Sequence, residues 1–422
     1  GDGAHWCDDG SFDIHHHVVR EKLVRAQGQS ERAALQARAG ELASTPLDPD
    51  RPLWQFHLVE NYEGGSALIA RVHHCIGDGV ALIAVMMTIT DGGNDPPSRR
   101  KRSADDAGNG DWLNDVVLKP LGGVSVKAAA LVEASISRSL DLLADPHRGL
   151  LGTLDSARLG ARVMQDLAAM ALMPDDSPTL LKGKLTGVKR VAWGDPMALE
   201  RVKAIGKALG CSINDVLLAG VAGAIGAWLR DQGDDPAGKE IRAMVPVNLR
   251  PLDKAWQLGN RFGLAPLVLP IGIENPLARV YAVRARMNQL KASYQPLLAF
   301  AVLAAAGQCP QALQDMILGL FAKKSTAVMT NVPGPAVPLT FCGSTLRQTM
   351  FWVPASGDIG VGVSILSYGG GVQFGLITDD ALCADPQAIV DRFEPEFDKL
   401  LLLALMLPWA APTSPRQAGM HG

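Results

Sequence analysis

Cysteine is scarce in this chain. There are six in 422 residues, at Cys7, Cys75, Cys211, Cys309, Cys342 and Cys383, and no two form a CxxC pair. That scatter argues against a disulfide framework and suits a reducing, cytoplasmic compartment. Net charge is small as well, -3 at pH 7, so no nucleic acid bound through phosphate contacts is expected as a partner. No signal peptide is recognisable. The longest apolar runs, "LLAFAVLAAAG" (297–307) and "LLLLALMLPWAA" (400–411), are too short to span a bilayer. Contact with lipid through them would be peripheral, along a membrane or droplet surface. The sequence has no Walker motif or GxGxxG turn to cradle phosphates, and no repeat of solenoid period.

What is present is core material. The chain is 47% hydrophobic and 20% charged, at a length that accommodates two domains of ordinary size. Two breaks divide it. "DGGNDPPSRRKRSADDAGNGD" (91–111) has no apolar period and reads as a loop, with the basic run 99–102 solvated inside it. "MPDDSPTLLKGKLTG" (173–187) reads as an interdomain linker, which sets an N-terminal domain at 1–172 and a C-terminal domain at 188–422. Residues 112–173 read as mostly helical.

Past the linker, "DPMALERVKAIGKALG" predicts a helix capped by Asp195 with Pro196 in its first turn. Leu199, Val202, Ile205 and Leu209 line one face, and Gly210 stops it. "SINDVLLAGVAGAIGAWLR" follows, with Ser212 and Asp215 at capping-box spacing. It is apolar nearly all round, which predicts burial, and Gly220, Gly223 and Gly226 permit close backbone contact. "NPLARVYAVRARMNQLK" predicts another helix, with Val280, Val283, Met287 and Leu290 on one side. Strand signals gather in "IRAMVPVNL", "FGLAPLVLPIG", "STAVMTNV" and "DIGVGVSILSYGGGVQFGLIT", the last a hairpin turning near Gly369–Gly371. The mixture predicts an α/β sandwich of two similar domains, each a mainly β sheet flanked by helices.

Chemistry concentrates in "RVHHCIGDG", which begins at Arg71 and places two of the chain's 9 histidines side by side. In the preceding "ALIARVHH", alternation puts Leu68, Ala70 and Val72 on one face and Ile69, Arg71 and His73 on the other. His73 and His74 then point to opposite sides of a strand end, a poor geometry for shared metal binding, and no metal is expected. Packing is the default for an arbitrary HxxxD. A catalytic reading requires an imidazole able to take a proton near neutral pH, with a carboxylate, Asp78, holding the loop or orienting the ring. Gly77 and Gly79 allow a tight turn and close approach of substrate to backbone. "HHH" at His15–His17 has the look of a tag or a metal cluster.

The full pattern "HHCIGDG" resembles the HHxxxDG motif of the chloramphenicol acetyltransferase-like superfamily. That superfamily includes condensation domains of peptide synthetases and the bacterial wax ester synthase/diacylglycerol acyltransferases. The rest of the chain resembles the latter, from about residue 12 to about residue 390, and because "FDIHHHVV" resembles a stretch of that family, His15–His17 are read as native and exposed. A PLW motif (Pro52, Leu53, Trp54) leads into the active-site loop, "SINDV" carries an ND motif (Asn214, Asp215), and "PVNLR", "LGNRFG" and "TNVPGP" with Asn331 follow in order. In that family the active-site motif lies farther from the N-terminus; here it begins at His73. The opening strand and helix, and with them one wall of the first domain, are therefore expected to be missing.

The resemblance implies two chloramphenicol acetyltransferase-like domains with a channel at their interface. It implies transfer of a fatty acyl group from acyl-CoA, a co-substrate rather than a cofactor, to a long-chain alcohol or a diacylglycerol. His74 would be the general base, taking the hydroxyl proton and then protonating the leaving thiolate, and a positioned base of this kind contributes roughly 10²–10⁴-fold. Asp78 would hold the loop and His73 support it. Asn331 or Asn214 would donate to the tetrahedral intermediate. Asp215 reads equally as a cap, and Pro52, Leu53 and Trp54 as bracing or as an acyl-channel lining. A condensation-type enzyme acting on carrier-protein thioesters and a non-catalytic lipid-binding homologue are the alternatives.

Overall fold

The computed structural model describes residues 8–77, 79–91, 173–248, 262–291, 319, 323–353 and 359–406. The helical reading of 112–173 falls outside these residues, apart from Met173, as do the basic run 99–102 and the apolar run 297–307. The N-terminal part runs α1 (Ile14–His17), β1 (Val18–Lys22), α2 (Glu31–Ser44), β2 (Trp54–Tyr62), β3 (Gly65–Val72) and α3 (Gly79–Thr88). Its three strands form a sheet in the order β1-β2-β3, parallel between β1 and β2 and antiparallel between β2 and β3. Ser30 caps α2 by accepting from Ala33 N.

The C-terminal part contains β4 (Lys189–Trp193), β5 (Met197–Ala198), α4 (Leu199–Leu209), α5 (Ile213–Asp231), β6 (Ile241–Asn248), β7 (Phe262–Leu269) and α6 (Pro276–Lys291). It continues with β8 (Ala327–Pro333), β9 (Thr340–Phe341), β10 (Ser344–Thr345), β11 (Val361–Tyr368), β12 (Gly371–Asp379), α7 (Gln387–Val390) and α8 (Phe393–Met406). The main sheet has seven strands, β4-β12-β11-β8-β6-β7 with β5 on β12, and β8 runs parallel to both β11 and β6. The β11–β12 hairpin turns through Gly369 and Gly370 at φ 58° and 82°, a conformation that glycine adopts without strain.

α5 is the core helix, with α4, α6 and α8 packed on it. Both halves of its capping box form: Ser212 N donates to Asp215 Oδ2 at 2.9 Å and Asp215 N to Ser212 Oγ at 3.2 Å. Its glycines are where neighbours come closest. A methyl at Gly226 would stand 2.2 Å from Ile271 O, and one at Gly220 2.7 Å from the Phe397 ring. Among the described residues α5 is the one helix long and apolar enough to cross a membrane, and it lies buried against the sheet and its helical neighbours.

Two expectations are corrected. Asp195 does not cap α4, which starts at Leu199 behind Ala198 with no side-chain cap. Met197 and Ala198 are recruited as a strand on Val372 and Gly371, which delays the helix, and Asp195 pairs with Arg32 of α2 at 2.5 Å instead. His17, read as exposed, is buried. Its ring stacks against Phe12 and Trp54, and its Nδ1 is 2.8 Å from Trp54 O.

The stretch 173–187 is tied closely to the main sheet. Asp176 and Leu181 are buried, and Thr186 and Gly187 donate backbone N–H groups to the Asp379 carboxylate at 2.9 Å each. Burial alone would raise the Asp379 pKa, but these bonds and those from Thr186 Oγ1 and Ala381 N hold it at about 2.

Candidate functional site

The HHxxxDG stretch sits where β3 gives way to α3. β3 stops at Val72, and His73 N then donates to Leu53 O at 2.9 Å, so the residue before Trp54 fastens the first histidine to β2. Ile76 N donates back to His73 O at 3.1 Å, closing a turn with His74 and Cys75 at its centre. The direction of His74 is thus set by that turn and not by the strand pleat from which it was inferred. His73 is exposed, and its Nδ1 accepts from Cys75 N at 3.2 Å. His74 is half-buried, Cys75 is exposed, and Gly79 opens α3. Asp78 lies outside the described residues. A methyl at Gly79 would meet nothing within 4 Å, so packing does not require glycine there.

Trp54 begins β2, its ring 4.6 Å from that of His17 and 5.3 Å from that of Phe56. Trp54 N donates to Pro52 O at 2.7 Å, a tight bend at the head of the strand. The PLW residues therefore touch the motif through the Leu53 carbonyl.

The other predicted pair meets across the main sheet. Asn331 in β8 donates from Nδ2 to Asn214 Oδ1 at 2.6 Å, at the first turn of α5. Asn214 and Asp215 are both buried. The capping box fixes that turn, and the Asn331 amide fixes the Asn214 amide against it.

Sequence reasoning missed a polar chain along β2 and β3, beneath the histidine motif. In the β2–β3 register, Gln55, His57 and Val59 oppose Arg71, Ile69 and Ala67, and Val59, Ala67 and Ile69 share a cluster with Leu35 and Ala39 of α2. Arg71 donates to Gln55 Oε1 at 2.9 Å and to the Thr45 carbonyl. His57 Nε2 lies 3.0 Å from the same Gln55 oxygen, and its Nδ1 lies 3.4 Å from Glu21, which Arg38 grips with two nitrogens. Burial lowers the His57 pKa against the opposing pull of Glu21. Burial, then the like charge of Arg38, lowers that of Arg71. Alternation placed Arg71 on this face; its partners are distant in sequence, and no local signal pointed to them.

Two further observations bound the site. A groove of about 420 Å³ between α2 and β4 is lined by Gln36, Gly40, Ser44, Lys189 and Asp385 among others, and none of its residues belongs to the motif. Among the described residues no cluster of three His, Cys, Asp or Glu side chains can hold a metal.

Comparison with known proteins places this architecture. Residues 2–217 match the wax ester synthase/diacylglycerol acyltransferase catalytic domain, and residues 258–401 match the WS/DGAT C-terminal domain. A Mycobacterium tuberculosis protein named a probable diacylglycerol O-acyltransferase is 26% identical over 411 residues, covering 94% of this chain and 81% of its own length. A second from the same species, named likewise, is 27% identical over 378 residues, covering 88% and 78%. The solved structure of a wax ester synthase/diacylglycerol acyltransferase from Marinobacter aquaeolei superposes with a TM-score of 0.60 at 21% identity, covering 95% of this chain and 83% of that one. That likeness shows a shared fold of sheets flanked by helices.

Proposed function

The chain belongs to the wax ester synthase/diacylglycerol acyltransferase family, and from that premise we propose that it moves a fatty acyl group from acyl-CoA to the hydroxyl of a diacylglycerol or a long-chain alcohol. The observation that carries the reading is the seat of His74, half-buried at the centre of a turn that β2 fastens from below and that leads into α3. From there its ring takes the hydroxyl proton as that oxygen attacks the thioester carbonyl. The C–S bond breaks as the tetrahedral intermediate collapses, and the same proton passes to the departing CoA sulfur. No acyl-enzyme is required, so Cys75 is not a nucleophile. Asn214, whose amide oxygen accepts from Asn331, is the proposed donor to the oxyanion, since the Asn331 amide is already engaged with it. A channel between the N- and C-terminal parts would admit both substrates to His74.

The acceptor is a lipid, which suits a cytoplasmic protein lying peripherally on a membrane face or an inclusion. Leu402, Leu405 and Met406, exposed at 63%, 57% and 79% on α8, are apolar side chains that such a surface would cover. The test is thiol release from palmitoyl-CoA with a diacylglycerol or hexadecanol present, and ester product measured alongside. Ester formed only from a carrier-protein thioester would favour the condensation-type alternative. No ester from either donor, with lipid still bound, would favour a binding protein.

A further inference from the structure

α3 begins at the histidine turn and ends against the C-terminal part of the chain. Just past it, Thr90 N donates to Met87 O at 3.1 Å, and the next residue, Asp91, meets the small β9–β10 hairpin. Asp91 N donates to Thr340 O at 2.7 Å in an antiparallel bridge, and Gly343 N donates to Asp91 Oδ2 at 2.8 Å. Backbone and carboxylate of one residue thus grip the hairpin together. In the hairpin Phe341 pairs with Ser344 and Thr340 with Thr345, which leaves a two-residue turn at Cys342 and Gly343 with φ 50° and 75°. Cys342 lacks the freedom of glycine in that region, so a contact from outside helps to hold the turn.

The root of the hairpin is fastened to the main sheet. The Tyr368 hydroxyl of β11 accepts from Leu339 N at 2.8 Å and donates to Leu346 O at 2.7 Å, and Leu346 N donates to Leu339 O at 2.9 Å. Leu339 and Leu346 pack on Val332, Leu366 and Tyr368, and Val332 follows Asn331 in β8. A braced path therefore runs from the strand that carries Asn331 to Asp91. At the other end of the segment, His73 N is fastened to Leu53 O. Between the two holds lies α3, ten residues or about 15 Å long. A helix of that length moves as a rod, so a hold at its far end fixes the direction of its first turn. We propose that Asp91 is a positioning residue for the transfer reaction: by gripping the β9–β10 hairpin it keeps α3, and with it the His74 turn, in register with the strand that carries Asn331. The reaction concerned rests on the acyl-transfer reading above.

The experiment compares Asp91→Ala, Asp91→Asn and Tyr368→Phe in the full chain, by acyl-transfer kinetics, melting and hydrogen exchange. Asp91 is exposed, so its variants fold, and each keeps the backbone bond to Thr340. Asp91→Ala lowers kcat about three- to tenfold, the scale of one lost hydrogen bond, with KM and melting temperature unchanged. Asp91→Asn keeps an oxygen for Gly343 N and restores kcat. Tyr368→Phe releases the same hairpin at its root, so the double variant Asp91→Ala with Tyr368→Phe loses no more than the worse single variant. Wild-type kcat in Asp91→Ala, no rescue by asparagine, or losses that multiply in the double variant each overturn the proposal. Should the wild type form no ester, the acyl-transfer reading fails by itself and exchange decides this one. Faster exchange across 79–91 in Asp91→Ala and not in Asp91→Asn then supports the grip, and unchanged exchange overturns it.

Discussion

His74 and His73 differ in what holds them, and their variants separate accordingly. His73 is fastened by backbone to β2 and accepts from Cys75 N, so His73→Ala loosens the turn. On the proposed mechanism His74 carries the proton, and His74→Ala is expected to lower turnover about 10²–10⁴-fold with little change in melting temperature or apparent substrate affinity. Equal turnover in His74→Ala, with the loss falling on His73→Ala, would exchange their roles. Asp78→Ala is expected to impair both activity and stability. Gly79→Ala is expected to melt as the wild type does, since the added methyl meets nothing. Any loss of turnover there would report on substrate approach. His57 gives a pH signature. Burial lowers its folded pKa below the ordinary 6.5, so the unfolded chain takes the proton first. Above that value His57 contributes no pH dependence; as pH falls below it, stability declines until the folded form also protonates. Melting temperature should therefore fall as pH drops below about 6.5 in the wild type and fall less in His57→Gln, with Glu21, Arg38, Gln55 and Arg71 intact. Parallel curves would remove His57 as the source.

Among the elements, those governed by neighbours in sequence were the legible ones. The capping box of α5, the left-handed Gly210 that ends α4 at φ 63° and the glycine hairpin between β11 and β12 all rest on contacts a few residues long. Where a distant strand competes, local rules fail: β5 claims Met197 and Ala198, and the start of α4 moves past Asp195. The same divide runs through the site. The histidine pair and the asparagine candidates were visible as motifs. The bond between Asn331 and Asn214, 117 positions apart, and the chain from Arg71 to Arg38 exist only once the sheets have formed. The glycines of α5 were legible as a licence for close contact, though not for which contact. Gly226→Ala should drive a methyl into the Ile271 carbonyl, which as backbone moves little, at a cost of about 1–3 kcal/mol in denaturant unfolding. An unchanged midpoint would mean that the turn holding Ile271, closed by Ile273 N donating to Pro270 O at 3.3 Å, yields freely.

At the level of the whole molecule, the decisive element is α2, which belongs by sequence to the N-terminal part and packs on the edge strand of the C-terminal one. Leu35 and Ala39 share a cluster with Val59 of β2 and with Val191, Trp193 and Ile377 of the main sheet. Polar ties run along the same seam: Arg32 to Asp195, Gln36 to Gln387 at 2.8 Å, and Lys189 N to Ser44 Oγ at 2.7 Å. A core built from both parts cannot be dismantled on one side without exposing the other, so a single cooperative transition is expected in calorimetry. Gly40 is the sensitive point. Its missing side chain lets α2 approach until a methyl there would stand 2.7 Å from Lys189 O. Gly40→Val forces the helix off β4 and should lower that one transition as a unit, with loss of activity following loss of fold rather than preceding it. Two resolved transitions in the wild type, with Gly40→Val moving only one of them, would show that the parts fold independently and that the seam contributes little to either.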